Sequence, residues 1–119
     1  MSLLIVDDSA RIRETLIAVV QPLRLDVLEC SDGASAVALC SSARLDWVLM
    51  DIAMEGLDGV EATRRIRAAN PDARVVIVTD HDTEAFRRAA ADAGAYAFVP
   101  KSDLIRLLDI LQPNPEGAP

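Results

Sequence analysis

Apolar residues fall in five short blocks along the chain: LLIV (3–6), VLEC (27–30), WVLM (47–50), VVIV (75–78) and YAFV (96–99). Polarity does not alternate within a block, which is the pattern of strands buried on both faces. Between the blocks the apolar spacing changes to three and four residues. ARIRETLIAVV places Ile12, Leu16 and Val19 on one helical face, and Pro22 ends it. GASAVALCSSA follows the second block. Asp58 is placed to cap a helix reaching about Ala69, with Glu61 in capping-box position, before Asn70-Pro71 breaks it. EAFRRAAADAG puts Phe86, Ala89, Ala90 and Ala93 on one stripe with Gly94 as a natural C-cap, and DLIRLLDIL follows the fifth block.

Strand and helix thus alternate five times. This order predicts an α/β fold: a parallel sheet with helices on both faces, because each right-handed crossover must cover the sheet. The pattern predicts one domain over residues 1–112. PNPEGAP (113–119) cannot continue a helix and reads as a flexible tail or the start of a linker. The fourth helix buries mostly alanine, so it is expected to be weakly held. In the last helix Leu104, Leu107, Leu108 and Leu111 form one stripe, while Ile105 and Ile110 lie off it. Two readings stand there: a well-buried terminal helix, or a surface for a partner or a second copy.

Composition narrows this picture. At 51% hydrophobic the chain can bury a sizeable core, and at 3% aromatic that core must be aliphatic. A net charge of -7 gives no counterion-release gain on a phosphate backbone, so no nucleic acid is expected to bind this domain. No apolar run is long enough for a membrane span and no signal peptide is evident, so a cytoplasmic location is expected. Cys30 and Cys40 are too few for a disulfide framework or a metal set. They read as small buried hydrophobes in a reducing compartment.

Candidate chemistry follows the blocks. In a parallel sheet the carboxyl ends of all strands meet at one edge, where ligands bind. After the first block come Asp7 and Asp8; after the third, Asp51; after the fourth, Thr79 and Asp80; after the fifth, Pro100 and Lys101. Strands about 4.8 Å apart let these side chains converge. Two carboxylates about 4 Å apart repel by roughly 4 kcal/mol at an effective dielectric near 20. Three of them must either take up protons or hold a cation, and oxygen ligands in an open site suit Mg²⁺. A lysine, a hydroxyl and a metal around one central carboxylate fit a phosphoryl group, with the carboxylate as nucleophile. Asp32, Asp46 and Asp58, by contrast, read as helix caps or turn residues.

IVDDS, VLMDIAMEGLDGVEATRRIR around Asp51, VTD at Thr79 and AFVPKSDL at Lys101 together resemble the receiver domain of two-component response regulators, from Leu3 to about Leu111. The resemblance implies a flavodoxin-like sheet in the order 2-1-3-4-5. It implies that Asp51 is the phosphoacceptor, charged by a sensor histidine kinase or a histidine phosphotransfer protein. Asp7 or Asp8, Asp51 and the backbone carbonyl of Ala53 would hold Mg²⁺. Lys101 would contact the phosphoryl oxygens, Thr79 would move to hydrogen-bond them, and Phe98 would be the switch aromatic. The implied output is a signalling surface for an effector domain, a protein partner or a homodimer, not metabolic catalysis or a membrane role. Four positions depart from the family pattern. Asp80 replaces a small residue, Glu55 replaces a proline, Phe98 lacks a tyrosine hydroxyl, and Ser102 follows the lysine where a proline is usual. Asp80 and Glu55 motivate an alternative, a degenerate receiver that binds partners without phosphorylation. A small phosphatase or phosphotransferase is a third class, but Ala53 offers it no general acid.

Overall fold

The computed structural model describes residues 1–112, so the expectation for residues 113–119 lies outside the described residues. Five strands, β1 (Ser2–Val6), β2 (Asp26–Cys30), β3 (Trp47–Met50), β4 (Arg74–Thr79) and β5 (Ala97–Pro100), alternate with five helices: α1 (Ala10–Val20), α2 (Gly33–Ser42), α3 (Gly59–Ala69), α4 (Glu84–Asp92) and α5 (Arg106–Ile110). All pairings are parallel and the order is β2-β1-β3-β4-β5. The flavodoxin-like sheet expected from the sequence is the one observed.

Strand residues alternate between two cores, because successive side chains leave opposite faces. Leu4, Val6, Val48, Met50, Val75 and Ile77 join Ala36 and Cys40 of α2, Ala62 and Ile66 of α3, and Ala90 of α4. Leu3, Ile5, Trp47, Leu49, Val76, Val78 and Val99 join Leu16 and Val20 of α1, Leu107 of α5 and Leu111 just after it. A helix layer thus covers each face.

Several elements differ from the sequence reading. β2 is an edge strand, so it is not buried on both faces, and Leu28 is 46% exposed. β5 begins one residue later than its apolar block, leaving Tyr96 57% exposed outside the strand. Pro100 is tolerated because β5 is the other edge and needs no outward donor. The buried face of α1 centres on Leu16 and Val20, with Ile12 and Val19 only partly buried. In α4 the buried stripe narrows to Ala90 and Ala93 at its end. Phe86 stays exposed because its ring packs on His81, centroids 5.8 Å apart, instead of on the sheet. The last helix is shorter than its apolar pattern, since Lys101–Asp103 forms a 3-10 turn first. Leu107 and Leu111 are fully buried and Ile105 is exposed.

The caps follow the sequence. Ser9, Asp32 and Asp58 accept from Ile12, Ser35 and Glu61 amides. The second half of the capping box does not form: the Glu61 carboxylate pairs with Arg64 and, at 3.1 Å, with Arg65. Asp46 accepts from the Ser2 amide at 2.8 Å and ties β1 to the loop before β3. Cys40 is buried as expected, but Cys30 only half so. Both are free thiols, and burial pushes Cys30 up and Cys40 up to about 11.

Candidate functional site

β1 and β3 are neighbours at the centre of the sheet, so the residues that follow them emerge side by side. The Asp51 amide donates to the Val6 carbonyl at 3.0 Å, extending the ladder one step past β3. Asp7 and Asp51 are 1% and 5% exposed, and Asp8 faces solvent. One carboxylate oxygen from each of the three lies within 4.8 Å of the others. From beyond β5, Lys101 brings its Nζ to 3.0 Å from Asp7 Oδ2 and 3.6 Å from Asp51 Oδ1. The four groups border a cleft of about 270 Å³ that Ala53, Asp80 and His81 also line.

Burial and charge set the protonation of this cluster. Burial, and then the charge of Asp7, pushes Asp51 up to about 6. Lys101 and the Ile52 amide, which donates to Asp51 Oδ1 at 2.9 Å, pull the other way. Burial alone would lower the Lys101 ammonium. The contact with Asp7 and the charges of Asp51, Asp7 and Asp80 outweigh it, and the net shift is upward. Asp7 Oδ1 accepts from the Ser9 amide at 2.9 Å. Asp7 Oδ2 takes the Lys101 ammonium at 3.0 Å as a buried ion pair. Three converging carboxylates make an all-oxygen donor set, which fits a hard divalent cation.

Local backbone makes the cleft. Gly59 begins α3 directly beneath the Asp51 loop and donates its amide to the Ile52 carbonyl at 3.0 Å. A β-carbon at Gly59 would lie 1.8 Å from the Asp51 carbonyl oxygen, so only glycine allows this approach. Thr79 ends β4 and is fully buried. It does not line the cleft, and its hydroxyl accepts from the His81 amide at 3.1 Å. Phe98 is half-buried on β5 beneath the Arg87 guanidinium, whose Cζ lies 4.7 Å from the ring centroid. Arg87 is itself tied to Asp82 at 2.6 Å.

The structure therefore gathers Asp7, Asp8, Asp51, Ala53 and Lys101 at one cleft, with Thr79 behind it and Phe98 apart on β5. Sequence reasoning missed three residues. Arg13 donates to the Asp7 carbonyl at 2.6 Å and to Glu29 at 2.9 Å, pinning α1 to the site and to β2. A basic residue one turn into the helix after the acidic pair was a signal for it. His81, the chain's only histidine, follows Thr79 by two residues and lines the cleft. Nothing in the local sequence marked Arg87 as the cover of Phe98.

Fold and cleft together define a doubly wound α/β domain with an acidic site at its carboxyl edge. The chain belongs to the response regulator receiver domain family, whose model it matches over residues 3–112. It is 35% identical over 99 residues to the response regulator MprA of Mycolicibacterium vanbaalenii, covering 83% of this chain and 43% of that protein. The MprA of Mycobacterium avium is 34% identical over 101 residues, with 85% and 44% covered. The chain thus spans less than half the length of these curated relatives. Among solved structures, a LuxR-family two-component response regulator from Aurantimonas is 34% identical at a TM-score of 0.85, with 91% of this chain and 79% of that one covered. A CheY-like receiver domain from Methanospirillum hungatei shares the fold at a TM-score of 0.86 and 21% identity, with 92% and 89% covered. The protein is a signalling domain of the two-component class, and no helix among the described residues is long and apolar enough to cross a membrane.

Proposed function

We propose that this domain accepts a phosphoryl group on Asp51 from a phosphohistidine of a sensor kinase or phosphotransfer protein, and that the modification switches a binding surface. The observation that carries this reading is the buried Asp51 carboxylate, set beside Asp7 and Lys101 in an open cleft.

The chemistry follows from the side chains. An Asp51 oxygen attacks phosphorus in line; the new O–P bond forms as the P–N bond to the donor imidazole breaks, and the imidazole leaves. Attack needs the ionised carboxylate, which predominates at pH 7 for a group near 6. Lys101, held within reach by Asp7, binds an equatorial phosphoryl oxygen. The carboxylates of Asp7, Asp8 and Asp51 and the Ala53 carbonyl would hold Mg²⁺, which supplies charge neutralisation at the phosphoryl oxygens. Thr79 would exchange its His81 contact for one to the phosphoryl group, and Phe98 would repack beside it.

The output surface is assigned to α4, β5 and α5, where Ile105 stands exposed and suits an effector domain, a protein partner or a second copy of the chain. The relatives, of which this chain covers less than half, would carry the output in the remainder of their chains. The degenerate reading is less favoured, because every residue the chemistry needs is present at the cleft or behind it.

Incubation with Mg²⁺ and acetyl phosphate, followed by intact-mass measurement, tests the proposal. One labile phosphoryl adduct, lost in Asp51→Asn, is expected. Absence of any adduct in protein that binds Mg²⁺ overturns it.

A further inference from the structure

Asp7, Asp8 and Asp51 set against Lys101 leave an excess of two negative charges, which one divalent cation balances. Asp80 adds a third. It is exposed, it lines the same cleft, and its charge is felt at the Lys101 ammonium. Among the described residues it has no ion-pair partner, whereas its neighbour Asp82 is matched by Arg87. Among the described residues no ion pair offsets this fourth carboxylate.

We propose that Asp80 sets the donor preference of the cleft, strengthening its hold on a divalent cation while disfavouring phosphodonors that bring extra negative charge. The inference rests on the phosphoacceptor reading above. Its physical basis is the sign of one charge. A carboxylate at the cleft wall attracts a cation and repels an incoming dianion by the same mechanism, so its two effects must be opposite. A donor whose leaving group is neutral or cationic escapes most of the penalty, as a protonated phosphoramidate does. A protein phosphohistidine belongs to that chemical class, and acetyl phosphate does not. In each transfer the Asp51 oxygen–phosphorus bond forms. The P–N bond breaks to release ammonia from phosphoramidate, and the P–O bond breaks to release acetate from acetyl phosphate.

The test compares the full chain with Asp80→Asn and Asp80→Glu, using acetyl phosphate, a dianion at neutral pH, and phosphoramidate, a zwitterion of lower net charge. Asp80→Asn is expected to speed labelling by acetyl phosphate about three- to tenfold and labelling by phosphoramidate less than about twofold. Added salt should shrink the difference. Titration calorimetry with Mg²⁺ and no donor gives an independent readout: affinity should fall about threefold in Asp80→Asn and hold in Asp80→Glu. Equal acceleration with both donors, unchanged rates, or an Asp80→Glu variant that behaves like Asp80→Asn would overturn the proposal. If neither donor labels the Mg²⁺-bound wild type, the phosphoacceptor reading fails and this inference with it. Labelling with an unchanged donor ratio removes the inference alone.

Discussion

The α-carbon of Gly59 lies so close to Asp51 that a β-carbon there would sit 1.8 Å from the Asp51 carbonyl oxygen. Backbone, not a flexible side chain, occupies that space, so the clash cannot be relieved by a rotamer change. Gly59→Ala is expected to cost about 2 kcal/mol or more and to displace the Asp51 loop. Chemical denaturation measures the first effect. Loss of Mg²⁺ binding in protein that still folds measures the second.

Asp51 makes the apo protein sensitive to pH in a definite direction. Its folded pKa is raised to about 6, well above the usual carboxylate range, so the native state holds the proton more tightly than the unfolded chain. The associated stability is fully present below about pH 4 and is lost as pH rises through about 6. Asp51→Asn should therefore stabilise the metal-free protein at pH 7 by about 2 kcal/mol and have little effect near pH 4. Paired denaturation curves at the two pH values check this. Mg²⁺ should reverse the order at pH 7, because only the ionised carboxylate binds it.

Arg13 links three elements through one guanidinium, contacting the Asp7 carbonyl at 2.6 Å and Glu29 at 2.9 Å. Arg13→Ala should lower stability by about 1–2 kcal/mol and weaken Mg²⁺ binding, since the backbone that aims Asp7 loses its tether. Glu29→Gln should lose little of either. Comparable losses in the two variants would mean that the surface pair, not the hold on Asp7, is what matters.

Within α4 only Ala90 is buried, whereas α1 buries Leu16 and Val20. Less apolar area holds α4 to the sheet, and its amides should exchange faster than those of α1 and α3. Hydrogen exchange resolved by residue decides it; equal protection across the three helices would contradict the expectation.

The sheet and the carboxyl-edge site were legible because both depend on short-range regularity. Uninterrupted apolar blocks mark central strands, and in a parallel sheet whatever follows a strand is delivered to one edge. Asp7, Asp51, Thr79 and Lys101 could be placed for that reason alone. The same reasoning failed at the margins. VLEC looks as apolar as a central block, but strand order makes β2 an edge and exposes Leu28. Phe86 fits the α4 stripe by spacing, yet its ring finds His81 in the loop before the helix. Glu61 stands at the capping-box position and is drawn instead to two arginines one turn on. Arg13 and Arg87 act across elements, through contacts that exist only once helices have docked.

Lys101 reaches the cleft from just beyond an edge strand, the last of the five in chain order, while the acids it neutralises emerge earlier from the middle of the sheet. A nascent or truncated chain that stops before β5 would assemble the acids without their counter-ion. Closure of the sheet is thus registered electrostatically: a domain without β5 carries a self-repelling centre with no ammonium beside it.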